Sequence, residues 1–165
     1  MVFFSEDGLV RTVEVYVIDE CWNDLLYMAD YDEIDYYKEI EDGLAIHTDA
    51  LRVRIIINNL LSNALKYSDP KKKNRFIAVR AKRDNGGMLF EIEDNGLGIK
   101  DDFKDQIWDI FFRGTSTIPG SGLGLYILRE SAKNIGGDVS FESKEGKGTT
   151  FKVHLPELDE ADQTS

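Results

Sequence analysis

The sequence predicts an α+β fold, a two-layer sandwich in which helices pack on one face of a mixed β-sheet. Three observations favour this class. Helical patterns and hairpin patterns occupy separate stretches of the chain, one long helix has a single apolar side, and 165 residues suit one domain better than two. We expect the domain to span residues 1–156 and the polar tail, residues 157–165, to be disordered.

The first half is predicted to contain a strand, a helix and a hairpin. Residues 12–17 alternate as in an extended strand, and apolar residues follow at helical spacing within residues 19–31. Residues 35–40 and 44–48 alternate around the Asp42-Gly43 pair, which is typical of a hairpin turn. The acidic stretch around this turn is expected to be a solvated hairpin edge, and the alternative is a docking surface for a basic partner.

The clearest helix covers residues 49–67. Taking Asn59 as the origin at about 100° per residue, Asn63 and Lys66 lie within about 40° of it, and a polar stripe therefore runs beside the apolar side. The apolar side consists of Val53, Ile57, Leu60, Leu61 and Ala64. An asparagine oxygen can complete the shell of a phosphate-bound Mg²⁺, and a lysine can place charge against phosphates. The alternative is that both asparagines bond neighbouring backbone and Lys66 is solvated.

The second half is predicted to alternate hairpins with one more helix. Asn85, Gly86 and Gly87 indicate a turn between two strands, and Gly136-Gly137 indicates the end of the helix. The predicted elements are strands 75–83 and 88–94, a helix over 122–134, and strands 138–143 and 149–155.

The segment NGLGI, residues 95–99, follows a strand that ends in Asp94. The alternate glycines Gly96 and Gly98 allow backbone to approach a flat ligand without obstruction by a Cβ. The Asp94 carboxylate is an acceptor suited to the exocyclic amine of adenine, and Ile99 closes the segment. The alternative is an aspartate that caps an ordinary turn.

Two further glycine-rich segments extend this pattern. GSGLGL, residues 120–125, opens a helix, so that free N–H groups near Gly122, Leu123, Gly124 and Leu125 can point at phosphates. It lacks the Gly-Lys-Ser/Thr ending of a Walker loop, and it follows a polar stretch, residues 114–119, that resembles a mobile lid. EGKGTTF, residues 145–151, is explained by a hairpin turn, and its position alone suggests that Thr149 reaches the nucleotide.

In order, NNLLSNALKYS, DNGLGI, DIFFRG, GSGLGL and GKGTTF closely resemble the N, first-glycine, phenylalanine, second-glycine and third-glycine boxes of sensor histidine kinase catalytic domains, within the GHKL ATPase superfamily. The resemblance implies a Bergerat-type ATP-binding fold and assigns Asn63 as the Mg²⁺ ligand and Asp94 as the adenine-reading residue. The implied nucleotide-contacting residues are Asn59, Asn63, Lys66, Tyr67, Asp94, Gly96, Gly98, Ile99, Arg113, Gly122, Leu123, Gly124, Leu125 and Thr149, and Asn59, Lys66 and Arg113 are the implied catalytic residues.

Asn59 separates two activities within that superfamily. ATP-hydrolysing members resemble this chain but carry a glutamate at the position of Asn59, and an amide cannot act as a general base near neutral pH. The resemblance therefore implies phosphoryl transfer to a histidine on a separate dimerisation helix, with a response regulator downstream. His47 and His154 are expected to be structural, because neither lies on a predicted helix or precedes the acidic residue and proline of a phosphoacceptor. The alternative is a degenerate kinase that senses ATP without transfer.

Charge and composition exclude several other classes. The net charge of −11 disfavours nucleic acid and anionic membrane surfaces as partners. One cysteine, Cys21, expected to be buried in a helix, fits a reducing compartment, and no stretch approaches the roughly 18 apolar residues of a spanning helix. We therefore expect a monomeric fragment in the cytoplasm, with an upstream membrane anchor left open.

Overall fold

The computed structural model describes residues 10–14, 16–28, 34–114, 118 and 120–158. Within them, three helices and a short 3-10 turn, Asp101–Phe103, connect strands that form two sheets. The elements are β1 (Val10–Glu14), α1 (Tyr16–Met28), β2 (Ile34–Ile40), β3 (Ala45–Asp49), α2 (Ala50–Lys66), β4 (Arg75–Asp84), β5 (Gly87–Asp94), α3 (Gly124–Asn134), β6 (Asp138–Lys144) and β7 (Gly148–Pro156).

The larger sheet is mixed and has the strand order β2-β4-β5-β7-β6. β2 runs parallel to β4, and the other neighbours are antiparallel. On β5, Phe90 and Ile92 are buried beneath the helices, whereas Glu91 lies between Arg80 of β4 and Lys152 of β7 on the opposite face. This alternation places the helical layer on one side of the sheet, and the predicted two-layer α+β fold is confirmed.

α2 is the central element of the helical layer. The Asp49 carboxylate accepts a hydrogen bond of 3.1 Å from the Arg52 backbone N–H, which caps the first turn. The five residues predicted to form its apolar side are all buried, with at most 3% of their surface exposed. α2 packs between α1 and α3 and contacts β5. The core is therefore centred on this helix, and its polar stripe lies towards α3.

The predicted first hairpin is wrong. Asp42 and Gly43 do form a turn, in which Leu44 N–H donates to the Glu41 carbonyl at 3.2 Å, but the strands on either side enter different sheets. β2 pairs with β4, and β3 pairs with β1. An Asp-Gly pair fixes only a local reversal, whereas the partner of each strand is decided by contacts distant in sequence, such as the stack of Tyr36 on Trp22 at 4.0 Å. β2 is nevertheless an edge strand, so the described part of the acidic stretch does line an edge.

The other element predictions differ from the structure only at their ends. The first strand ends at Glu14 and the helix already begins at Tyr16, because Ile18, Cys21 and Trp22 are buried at helical spacing. The hairpin of β4 and β5, the helix α3 and the last two strands are confirmed. Of the predicted disordered tail, Leu158 donates to the His47 carbonyl at 2.8 Å, and residues 159–165 lie outside the described residues.

The structure also shows how two single side chains, those of Cys21 and Trp108, are packed. Cys21 is completely buried in α1, as predicted, and burial raises the pKa of its thiol to about 11. Trp108 packs edge-on against Phe141 and Phe151, with ring centroids 5.8 and 6.2 Å away. Among the described helices, none is long and apolar enough to cross a membrane.

Candidate functional site

Segments that are distant in sequence meet at one end of α2. The last turn of α2 contacts the loop after β5, because Leu97 N–H donates to the Tyr67 carbonyl at 2.9 Å. Asp94, at the end of β5, is the register partner of Thr149 at the start of β7. Gly124, the first residue of α3, faces the polar stripe of α2. The structure therefore brings the N-box helix and all three glycine-rich segments to one region.

Asp94 is a mostly buried carboxylate held by backbone donors. Its Oδ1 accepts a hydrogen bond of 2.8 Å from Gly96 N–H, and the backbone of Thr149 donates to the same carboxylate. Burial raises its pKa to about 6 despite these donors and the nearby positive charge of Lys72. Burial of the ionised Asp94 carboxylate lowers the stability of the folded protein. A carboxylate kept at such a position is therefore a candidate functional group.

The loop that follows Asp94 approaches other backbone too closely for side chains. A Cβ on Gly96 would lie 2.2 Å from the Tyr67 carbonyl oxygen, and one on Gly98 would lie 2.1 Å from the Lys144 carbonyl oxygen. Gly98 also has a φ of +67°, which strains any residue with a side chain. Glycine at these two positions is thus required for the loop to lie between α2 and the β6–β7 turn.

Ser143 and Thr149 anchor the other side of this loop. Ser143 Oγ accepts from Ile99 N–H at 2.8 Å, and it lies 3.0 Å from the Gly148 carbonyl and 2.8 Å from Thr149 Oγ1. Thr149 is 7% exposed. Its hydroxyl is thus engaged with Ser143, while its backbone supports Asp94, so Thr149 supports the loop that follows Asp94.

The two asparagines of the polar stripe have different surroundings. Asn59 Nδ2 donates to the Ile55 carbonyl at 2.8 Å. The nitrogen of this amide therefore bonds the backbone of its own helix, as the alternative interpretation of the polar stripe predicted. Asn63 Nδ2 is buried and has no hydrogen-bond partner within the described part of the chain. A Cβ added at Gly124 would lie 3.0 Å from Asn59 Oδ1 and 3.8 Å from Asn63 Oδ1. A glycine at this position therefore leaves room beside both amides.

The start of α3 exposes backbone donors next to these amides. Its N-cap residue, Leu123, makes no side-chain capping bond, although its own N–H is 3.3 Å from Ser121 Oγ. Leu125 packs against the core and fixes the first turn. The N-terminal N–H groups of an uncapped helix favour an anion, which fits the predicted phosphate end.

The segment before α3 is exposed and strained. Phe111 has a φ of +65° and is 70% exposed, while its N–H donates to the Gly122 carbonyl at 3.0 Å. Gly122, with a φ of +72°, is so close that a Cβ would lie 2.7 Å from the Phe111 carbonyl carbon. Phe112 instead packs on Phe103, with ring centroids 5.5 Å apart. Phe112 therefore serves packing, whereas the ring of Phe111 is exposed.

The remaining predicted residues lie at the rim. Lys66 and Tyr67 are exposed at the end of α2, and the guanidinium of Arg113 donates to the carbonyl oxygen of Ile118 in its own loop. Residues 115–117 and 119 of the predicted lid lie outside the described residues. The roles of Lys66, Tyr67 and Arg113 toward phosphates stay predictions.

The side chains of the site suit a metal ion that is bound mainly by phosphates and water and by few protein atoms. Among the described residues, no cluster of three or more His, Cys, Asp or Glu side chains could hold a metal ion. Asn63, whose buried Nδ2 has no hydrogen-bond partner among the described residues, carries an amide oxygen that suits one ligand position of a Mg²⁺ otherwise bound by phosphates and water. His47 and His154 lie on strands, and His154 Nε2 is 3.0 Å from the Asp84 carbonyl.

Sequence analysis missed Lys72 and Ser143. Lys72 Nζ contacts backbone carbonyls of both the first and the third glycine-rich segment. It stands in the middle of three consecutive lysines, which resemble a solvated loop, and Ser143 stands on an edge strand with alternating exposure. No signal in the sequence distinguishes either residue from its neighbours.

The chain is similar in sequence to a known family and to several sensor kinases. The family described as histidine kinase-, DNA gyrase B-, and HSP90-like ATPase matches residues 48–159. The chain is 40% identical over 121 residues to the aerobic respiration control sensor protein ArcB of Escherichia coli K12, a match that covers 68% of this chain and 15% of ArcB. It is 34% identical over 165 residues to the sensor histidine kinase GraS of Staphylococcus haemolyticus, covering 96% of this chain and 44% of GraS.

Solved structures give the same result for the fold. The mycobacterial sensor histidine kinase MprB superposes with a TM-score of 0.75 at 25% identity, covering 88% of this chain and 96% of that one. The catalytic domain of the histidine kinase ThkA superposes with a TM-score of 0.77 at 23% identity, covering 91% and 99%. The chain thus spans less than half the length of the two sequence relatives named above, but nearly all of the solved ThkA catalytic domain.

Proposed function

We propose, because this chain belongs to the histidine kinase-, DNA gyrase B- and HSP90-like ATPase family, that it transfers the γ-phosphoryl group of ATP to a histidine on a separate helical domain. The chain is the ATP-binding catalytic domain of a two-component sensor kinase. The observation that carries the proposal is that α2 contacts the Asp94 loop at Tyr67 and the start of α3 at Asn59 and Asn63.

Each end of this site suits one end of ATP. The Asp94 carboxylate accepts from the exocyclic amine of adenine, a donor that guanine lacks at that position. Asn63 would hold Mg²⁺, which when bound neutralises charge on the phosphate oxygens. The first turn of α3 would receive the phosphates, and Lys66 and Arg113 would add positive charge from the rim.

The nucleophile is proposed to come from outside the chain. Asn59 stands where a general base would be needed to activate water, and its amide is already bonded to the Ile55 carbonyl. ATP is therefore held intact until an imidazole on a dimerisation helix attacks the γ-phosphorus and ADP leaves. We propose that this helical domain belongs to the same full-length protein, that a response regulator then receives the phosphoryl group, and that the domain acts in the cytoplasm, where ATP is present.

An assay with labelled ATP tests whether the phosphoryl group is transferred to a separate helical domain and not to this chain. The chain is incubated with γ-labelled ATP and Mg²⁺, first alone and then with the cognate dimerisation hairpin of its full-length protein, either intact or with its acceptor histidine replaced. We expect label only on the intact hairpin, and alkali-stable, acid-labile label identifies phosphohistidine. Stable label on the chain alone would contradict the proposal. Tight ATP binding without transfer to the cognate hairpin would favour an ATP-sensing module instead.

A further inference from the structure

The ammonium group of Lys72 contacts four backbone carbonyl oxygens at once. It donates to Gly96 at 3.1 Å, to Gly146 at 3.0 Å and to Asn95, and the Lys147 oxygen lies at 3.4 Å. An ammonium group has three protons and no acceptor, so a ring of carbonyl oxygens uses its donor capacity fully. Lys72 is thus fixed in place instead of being solvated.

The four carbonyls belong to the two segments that support Asp94. Asn95 and Gly96 directly follow Asp94, and the Gly96 N–H donates to its carboxylate. Gly146 and Lys147 precede Thr149, whose backbone is the second donor to the same carboxylate. One ammonium group therefore ties together the two loops that carry both backbone donors of Asp94.

The turn before β4 presents Lys72 to this position. The Lys72 N–H donates to the Asp69 carbonyl at 3.1 Å, and the Lys71 N–H donates to Asp69 Oδ1 at 3.0 Å. Lys71 and Lys73 are exposed on either side, whereas Lys72 is half-buried. Lys71 and Lys73 therefore carry the same charge on the same turn as Lys72 but are more exposed, which makes them suitable controls for Lys72.

We propose that Lys72 is a positioning residue for adenine recognition, which holds the first-glycine loop and the β6–β7 turn in the arrangement that presents the Asp94 carboxylate to the base. This inference rests on the proposed ATP-binding function and adds a residue to it. Lys72 acts through Asp94 and the loops, and its role is not contact with the nucleotide.

The positive charge of Lys72 should make the proposed role visible in the pH dependence of ATP binding. Burial raises the pKa of Asp94 most strongly, the backbone donors Gly96 and Thr149 and the charge of Lys72 lower it, and Glu93 raises it. Removing the Lys72 charge therefore moves the pKa of Asp94 above its present value of about 6. The protonated acid no longer accepts from adenine as a carboxylate does, so binding should require a higher pH.

The test compares Lys72→Met with Lys71→Met and Lys73→Met, which remove the same charge from the same turn. ATP affinity is measured by calorimetry from pH 5.5 to 8.5 in Mg²⁺. We expect Lys72→Met to weaken binding by about tenfold at pH 7, the size of one lost charge-assisted interaction. Its pH midpoint should move upward, while both controls stay within about twofold of the wild type. Titration of ATP itself is common to all the variants and cancels in the comparison.

Two conservative variants separate positioning from general loss of structure. Lys72→Arg keeps the charge and donors, so it should restore the midpoint, whereas Lys72→Gln keeps donors without charge and should not. An unchanged affinity and midpoint in Lys72→Met would overturn the inference while leaving ATP binding intact. If Lys72→Met does not fold by circular dichroism, an unshifted midpoint in Lys72→Gln overturns it equally. Failure of the folded wild type to bind ATP would instead overturn the proposed function as well.

Discussion

The proposed adenine end and the proposed phosphate end of the site are built differently. At the adenine end, the segment from Asp94 to Ile99 is bonded to α2, to Lys72 and to the start of β7, and Asp94 itself is mostly enclosed. At the phosphate end, Phe111 is 70% exposed in a left-handed conformation, and the N-cap of α3 makes no side-chain capping bond. One end is held by many contacts, and the other leaves backbone donors available.

This difference indicates what each end contributes to ATP binding. A rigid loop at the proposed adenine end would select the base by geometry. A loop held by many contacts cannot rearrange to fit a base with different hydrogen-bonding groups on its edge. An open phosphate end uses backbone N–H groups that an anion can satisfy. We therefore expect substitutions at the adenine end to have larger effects than equivalent substitutions at the phosphate end.

A matched pair of glycine substitutions tests this directly and has the largest expected effect. A Cβ on Gly96 would lie 2.2 Å from the Tyr67 carbonyl oxygen, whereas one on Gly120 would have no neighbour within 4 Å. Gly96→Ala must displace backbone, and we expect a loss of about 3 kcal/mol in the free energy of unfolding and ATP binding weakened by more than about 100-fold. Gly120→Ala should change neither. Urea unfolding and calorimetry measure both quantities, and equal losses in the two variants would remove the distinction between the ends.

Asp94→Asn is expected to weaken ATP binding and to stabilise the fold. Loss of the charge-assisted bond to adenine should cost about 10- to 100-fold in affinity at pH 7.5, measured by calorimetry. In the folded wild type the pKa of Asp94 is raised to about 6 from 3.8, so the folded state holds this proton more tightly than the unfolded chain. Its contribution to stability is complete below about pH 4 and is lost as the pH rises to about 6, a change of about 3 kcal/mol.

The sign of this linkage gives a second measurement on the same variant. Asparagine does not titrate, so the stability of Asp94→Asn relative to wild type should rise by up to about 3 kcal/mol between pH 4 and pH 7.5. A constant difference between Asp94→Asn and wild type across this range would mean that the carboxylate carries no cost of burial.

Sequence patterns predicted those parts of the fold that depend on local order. α2 was predicted within one residue of its observed ends, because its apolar period and its cap at Asp49 both act within a few residues of the helix itself. The first hairpin failed because alternation and an Asp-Gly turn are equally compatible with strands that separate. The parallel pairing of β2 with β4 depends on residues about 40 positions apart, and no local pattern specifies it.

The same division applies to the site. Spacing on a helix predicted that Asn59 and Asn63 share one side of α2, and the structure places Gly124 beside both amides. Lys72 was not predicted, because its partners are carbonyl oxygens, which every residue possesses. A contact between a side chain and the backbone of a distant loop therefore cannot be predicted from the types of residue in the sequence.

At the phosphate end, Asn63→Ala should have a smaller effect that depends on metal. Asn63 would supply one of several ligands to Mg²⁺, and the others come from phosphates and water, so we expect about a tenfold loss of ATP affinity in Mg²⁺ and little change in a chelator. Asn58→Ala makes the same substitution on the same helix outside the polar stripe, and it should bind ATP as the wild type does. Equal losses in Asn63→Ala with and without Mg²⁺ would argue against a metal ligand at this position.

The smallest expected effect is at Phe111, and it has the opposite sign. A phenylalanine with a φ of +65° carries about 1 kcal/mol of backbone strain, and a side chain that is 70% exposed returns little packing energy. Phe111→Asn, with a residue that tolerates this conformation, should therefore raise the free energy of unfolding by about 0.5–1 kcal/mol and leave ATP affinity within about twofold. Phe112→Asn, which removes the ring that packs on Phe103, should instead destabilise the fold by about 2 kcal/mol or more in urea unfolding. If Phe111→Asn destabilises as much as Phe112→Asn, the exposed ring contributes to the fold and the phosphate end is less open than its geometry indicates.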